Sequence, residues 1–191
     1  LYVEDNLLAV FYTQSRYTQG DGIDVSAREY TCTDVYDISD PSTPVKLNTL
    51  SQSGVYNTMR VKDGYAYVLS SFYPDTASPR SDAGAYVPSV QGSTLEADRI
   101  FMPEQEMGSE YTVITAFSLA DPQEQTDSRA VFGSAGLCYV SGENIYVTES
   151  CYDTDDSDVT RTAIRKVAYH DGLLEGAAQT KIDGLLNDSF S

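Results

Sequence analysis

The chain has 191 residues, in which 29 Asp and Glu stand against 12 Lys and Arg for a formal net charge of -17. That balance excludes a protein that grips nucleic acid phosphates or anionic lipid, both of which need a positive field, and it points to cations, cationic peptides or neutral glycans as partners. An apolar fraction of 41% with 15 tyrosines is too rich for a disordered acidic tail, and the longest apolar run, Leu7 to Tyr12, falls far short of the roughly 18 residues of a membrane helix.

The length suits one domain with one respectable core. The chain starts at Leu1 with no charged, apolar and small-residue signal segment ahead of it, so the expectation is a soluble piece of a longer protein from which any export signal has been removed.

In chain order, the first element is VEDNLLAVFY from Val3 to Tyr12, and its phrasing returns as VKDGYAYVLSSFY from Val61 and as VSGENIYVTESCY from Val140. Each copy reads as a hairpin: a strand, a polar turn and a second strand with cores Leu8-Ala9-Val10, Ala66-Tyr67-Val68 and Ile145-Tyr146-Val147. A third strand follows each hairpin, as TCTDVYDISDP from Thr31, TVITAFSLADP from Thr112 and AIRKVAYHDG from Ala163, closed by an Asp-Pro or Asp-Gly turn. A fourth, outer strand comes next, as in Pro44 to Leu50, where alternation and the leading proline suit a sheet edge. Gly54, Gly133 and Gly184 punctuate the units, which run over 3–60, 61–139 and 140–191.

Inner strands apolar on both faces, such as Tyr65 to Leu69, suit a sheet sandwiched between two neighbouring sheets. With a repeat of this length, the fold class is all-β, a partial β-propeller of about three four-stranded antiparallel blades with a long insertion over 74–110. An ordinary β-sandwich is the alternative. Three blades fall short of the four to eight that close a ring, so remaining blades or other chains are expected to complete it.

VYDISDPSTPVKLNTLSQSG from Val35, the hairpin from Val61, YVPSV at Tyr86, YTVITAFSLADP and ENIYVTESCY together resemble the secreted bacterial β-propeller family described as distantly related to WD repeats. The resemblance covers most of the chain, from about Thr31 onward. It implies an exported propeller from a cell surface, and it brings no catalytic residues to carry over.

The links between second and third strands should emerge on one face of the disc. They read as long and acidic: about Gln14 to Glu29 with GDGID at its centre, about Pro74 to Glu110, and DTDDSD at Asp153 to Asp158. Loops on a rigid scaffold are where binding resides. Asp153, Asp155, Asp156 and Asp158 could give oxygen ligands to calcium, without the EF-hand pattern; a solvated acidic loop is the other reading, and Asp21 and Asp24 read as a plain turn. In the insertion, Tyr86 and Phe101 are the candidate partner-binding anchors, since aromatics dominate interface hot spots; packing on their own propeller is the alternative.

Enzyme chemistry has little to stand on. The single histidine, His170, sits in a YHDG turn, and a Ser-His-Asp triad or a His-rich zinc site would depend on it. Carboxylate-pair hydrolysis of glycans or peptides could draw on Glu96, Asp98, Glu104, Glu106 and Glu110. GSAG at Gly133 leads into a strand and lacks the helix N-terminus of a phosphate loop. Cys32, Cys138 and Cys151 form no CxxC pair, and a hairpin turning at Ser141 to Asn144 sets Cys138 opposite Val147, not Cys151, so free thiols are expected. The functional expectation is a non-enzymatic binding scaffold outside the cell, with an exported hydrolase as the alternative.

Overall fold

In the computed structural model, residues 1–19, 25–103, 108–133, 137–152 and 159–186 are described. The first blade is β1 (Tyr2–Glu4), β2 (Leu7–Gln19), β3 (Val25–Asp37) and β4 (Val45–Ser53). The second begins with β5 (Val55–Lys62) and β6 (Tyr65–Phe72). The insertion then supplies a four-residue helix, α1 (Ala83–Tyr86), β7 (Ser89–Val90), β8 (Ser93–Thr94), a 3-10 turn at Ala97–Arg99 and β9 (Ile100–Phe101). The second blade resumes with β10 (Tyr111–Ser118) and β11 (Gln125–Phe132). The third is β12 (Cys138–Val140), β13 (Asn144–Tyr152), β14 (Thr160–His170) and β15 (Leu173–Asp183).

These strands form three separate sheets with order β1-β2-β3-β4, β5-β6-β10-β11 and β12-β13-β14-β15, and within each blade all pairings are antiparallel. The hairpin registers follow from their turns. Asp5, Asp63 and Asp171 take positive φ, the last two followed by Gly64 and Gly172 at positive φ as well, as a two-residue hairpin turn requires. The register sets Cys138 opposite Val147, and all three cysteines are free thiols.

The blades change at Gly54 and Gly133, and a further Gly184 ends the third. All three have positive φ (99°, 112° and 107°), and each amide donates back to its own blade's third strand or the residue just before it: to the Glu29, Glu110 and Thr160 carbonyls at 2.8, 2.9 and 2.8 Å. The strand order within a blade thus closes on a glycine that also turns the chain toward the next blade. Thr31 and Thr162 reinforce the turn by donating to the Gly54 and Gly184 carbonyls at 2.9 and 2.7 Å. At the middle position, Thr112 makes no such bond.

Burial of both faces of the inner strands gives two inter-blade cores. Ala9, Val35 and Leu50 meet Ala66, Val68 and Phe117 between the first and second blades; Tyr67, Leu69, Ile114 and Val131 meet Ile145, Val147, Val167 and Tyr169 between the second and third. Tyr67 and Tyr169 cross edge-on at 4.4 Å between ring centroids, a favourable aromatic geometry. A polar set lies within the first joint: the buried Gln52 amide donates to Ser70 Oγ at 2.9 Å and to the Val68 and Val113 carbonyls at 3.3 and 3.2 Å, and its carbonyl accepts from Thr115. Blade 3 grips blade 2 through its β14–β15 turn, where Gly172 donates to Tyr67 at 2.9 Å and accepts from Thr126 at 2.6 Å.

One expectation changes. The stretch from Gln14 to Glu29, read as a loop, is largely strand: β2 and β3 continue pairing to Gln19 opposite Val25, so the first blade carries an extended hairpin beyond its neighbours. The reason is the pairing itself: two long partners satisfy each other's backbone even without an apolar face along the segment. The insertion, for its part, behaves as an edge cover. β7 pairs with β4 and β8 with β7, while β9 pairs in parallel with β11, so the outer edges of the first and second blades gain strands that occupy their free backbone groups.

Candidate functional site

A cleft of about 320 Å³ opens between the first and second blades, at the end of the discs where Gly54 crosses from one to the other. One wall is the extended hairpin. Because side chains alternate along a strand, Ser15 and Tyr17 of β2 share a face with their direct partners Glu29 and Ala27 of β3, the same face on which Ala9 and Thr31 lie. Tyr17 and Glu29 are therefore diagonal neighbours across the ladder, within reach of one another's ligands. The floor is Ser53, Gly54, Ser71 and Phe72, and the far side is Tyr73, Asp75 and the α1 residues Gly84 and Ala85.

Three features of this cleft are chemical. Tyr17 and Tyr73 are 71% and 59% exposed, which leaves their ring faces available for stacking. The carboxylate of Glu29 has, among the described residues, no hydrogen-bond or ion-pair partner. Among the described residues Arg28 is the one lining cation and it is already engaged: its guanidinium donates to Asp82, which raises its pKa. Asp75 accepts from the Ala77 amide at 3.0 Å and the Ser78 hydroxyl at 2.7 Å; these bonds, the Ser78 hydroxyl foremost, hold its carboxyl below the ordinary range. The cleft thus presents two aromatic faces, serine hydroxyls and two carboxylates with no uncompensated positive charge.

The floor is fixed from behind. Ser70 donates to the Ser53 carbonyl at 2.6 Å, Ser53 and Ser89 hydroxyls meet at 2.9 Å, and the Ser89 amide donates to Ser53 Oγ at 2.9 Å, which ties β7 of the insertion to the blade junction. A second, smaller hollow of about 140 Å³ lies between β11 and the third blade, lined by Asp98, Ile100, Phe101, Arg129 and Gly176 among others.

The residues singled out in the sequence fall as follows. Tyr86 is half-buried and donates its hydroxyl to the Ser78 carbonyl within the insertion. Phe101 is half-buried, pairs through its backbone with Val131 and packs on the core between the second and third blades. Asp153, Asp155, Asp156 and Asp158 lie outside the described residues, as do Asp21, Asp24, Glu104 and Glu106; among the described residues no cluster of three or more His, Cys, Asp or Glu could hold a metal ion. Glu110 accepts from the Ser109 amide at 2.8 Å. His170 is exposed, with Glu175 and then Asp171 raising its pKa through hydrogen bonds. No described helix is long and apolar enough to cross a membrane.

The cleft was missed from sequence because its walls come from β2, β3, β6 and α1, far apart in the chain. The one signal that could have found it is the alternation Ser15-Tyr17 and Ala27-Glu29, which puts an aromatic and an acid on one face once the region is seen as strand. In comparisons with known proteins, a family model described as a beta propeller domain matches residues 1–191. No match was found among curated proteins or solved structures.

Proposed function

Since the chain belongs to the beta propeller domain family, we propose that it is a non-enzymatic binding scaffold of the cell exterior whose contact surface is the cleft between its first two blades. Propellers are rigid stacks of sheets whose function is carried by what projects from one end. The observation that carries the reading is the open cleft of about 320 Å³ flanked by two exposed tyrosines, a size and aromatic character that fit a ligand group held by stacking and a few hydrogen bonds. Its carboxylates, Glu29 and Asp75, supply negative charge and hydrogen-bond acceptors for a bound group.

The test is a binding array of defined peptides and oligosaccharides, probed with the wild-type chain and with a Tyr17→Ser/Tyr73→Ser variant of unchanged melting temperature. Ligands retained by the wild type and lost by the variant are the expected result. Equal retention by both would remove the cleft from the function. The proposal includes a calcium ion held by Asp153, Asp155, Asp156 and Asp158, carboxylates of the kind that ligate it. A higher melting temperature in millimolar calcium than in chelator, absent from the four-fold Asp to Asn variant, is the expected result there.

A further inference from the structure

We infer that the cleft reads a cationic side chain, so that the partner is a lysine- or arginine-bearing peptide segment; this rests on the cleft being the binding site. The argument is one of unspent charge. Of the charged residues that line the cleft, Arg28 is neutralised by Asp82, while Glu29 and Asp75 remain as carboxylates, and Glu29 has no partner among the described residues. A carboxylate left without a counter-ion beside an aromatic ring is an arrangement complementary to an ammonium or guanidinium group, because the ring's negative face and the carboxylate attract the same charge.

The register brings these groups together. Tyr17 stands diagonal to Glu29 on the cleft face of the extended hairpin, and Tyr73 stands across the cleft. The protein shows the same chemistry at the cleft's own border, where the guanidinium carbon of Arg16 sits 4.3 Å from the centroid of the ring of Tyr30, itself a lining residue. A net charge of -17 adds a long-range field that concentrates cations at the surface and repels acidic peptides. Both serine hydroxyls of the floor are already engaged, Ser53 with the Ser89 hydroxyl and amide at 2.9 Å each and Ser71 as acceptor from the Asn57 side-chain amide at 3.2 Å, which leaves fewer donors and acceptors for a neutral sugar.

The experiment is calorimetric titration of the whole chain with an amidated tri-lysine peptide, the same peptide acetylated on every side-chain nitrogen, and a neutral hexasaccharide of glucose. Variants are Glu29→Gln, Tyr17→Ser/Tyr73→Ser and, as a charge-matched control at an exposed turn, Glu124→Gln. The expected result is binding of the tri-lysine peptide alone. Glu29→Gln should weaken it about two- to fivefold, the tyrosine pair should weaken it at least as much, and Glu124→Gln should leave it within error of wild type. Equal losses for Glu29→Gln and Glu124→Gln would show attraction to bulk negative charge and overturn the inference. Tyrosine-dependent binding of the acetylated peptide or the hexasaccharide, indifferent to Glu29→Gln, would overturn it while leaving the cleft as the binding site. No tyrosine-dependent binding of any probe would overturn the cleft itself.

Discussion

Arg165 donates to Glu149 at the joint of the second and third blades, with side chains only 1% and 2% exposed. The repeat assigns the same two places in the second blade to Thr115 and Ser70: Thr115 stands as far before Asp121-Pro122 as Arg165 stands before Asp171-Gly172, and Ser70 follows Val61 as Glu149 follows Val140. One joint is therefore crossed by a neutral hydrogen-bonded set around Gln52, while at the next the corresponding places of the third blade hold an ion pair between its own strands β13 and β14. The other oxygen of Glu149 accepts from the Gly108 amide at 2.9 Å, whereas Nε and Nη1 of Arg165 have no hydrogen-bond partner among the described residues.

Removing one member of a buried pair strands the other charge, while removing both at once does not. Arg165→Met is therefore expected to cost about 3–5 kcal/mol of stability, and the double variant Arg165→Met/Glu149→Gln, which keeps an acceptor for Gly108, should recover most of it. Urea denaturation of the two variants checks this. A double variant as unstable as the single one would place the cost in lost packing instead of stranded charge.

The three junction glycines share a backbone conformation but not a neighbourhood, so their alanine variants should rank. A Cβ at Gly54 would sit 2.4 Å from the Ser71 carbonyl oxygen, which is backbone and cannot yield. At Gly133 it would meet the Glu149 carboxylate at 2.9 Å and Arg165 Nη1 at 3.1 Å, and at Gly184 nothing within 4 Å. All three substitutions carry the strain of positive φ, about 1 kcal/mol or somewhat more. Gly184→Ala should show little beyond that, Gly133→Ala about 2 kcal/mol, and Gly54→Ala more than about 3 kcal/mol. Denaturation midpoints would reveal the order, and equal losses would mean that the contacts relax freely.

The blade pattern was legible because it is local. Hairpin turns such as Asp63-Gly64 and Asp171-Gly172 announce themselves by residue type, and once the turn is fixed the register follows, as the Cys138 to Val147 pairing shows. Illegible were features whose energy comes from elsewhere in the chain. The Gln14 to Gln19 segment has no apolar face to mark it as strand; it is strand because Val25 to Tyr30 pairs with it. β7 and β9 are two residues each, too short for any periodicity, and exist only because β4 and β11 offer free edges. The cleft required both facts, since its wall is that hairpin and its floor is braced by β7.

Acid should loosen the first blade through Asp34. Burial alone would raise its pKa, but hydrogen bonds from Lys46 and Thr49, with the charge of Lys46, outweigh burial and leave it below the ordinary value of 3.8; the contacts are 2.9 Å to Lys46 Nζ and 2.7 Å to Thr49 Oγ1. A depressed carboxyl contributes stability that is full above its unfolded pKa and is lost as pH falls through the folded one. Wild type should thus lose melting temperature below about pH 4 more steeply than Asp34→Asn, which has no proton to take up there but starts from a lower value at pH 7. Parallel curves for the two proteins from pH 7 to pH 3 would remove Asp34 from the acid response.

The thiols give a last and independent reading of the packing. Burial pushes the Cys138 thiol up to about 11 and raises that of Cys32, and Cys151 is buried as well. Cys138 is partly exposed as a residue, but its side chain packs on the core shared by the second and third blades. Thiolate is the reactive form, so at pH 8 a thiol of pKa 11 is about one-thousandth ionised where an unfolded cysteine is about one-quarter ionised. A colorimetric disulfide reagent at pH 8 should therefore find three thiols in denaturant and react with the native chain more than about 100-fold more slowly. Gly133→Ala, which intrudes on the neighbouring Glu149 and Arg165, should speed the native reaction if it opens the joint between blades two and three. Rapid reaction of Cys138 in the wild-type chain, located by mass mapping of the labelled peptide, would show that this joint already opens on the timescale of the assay.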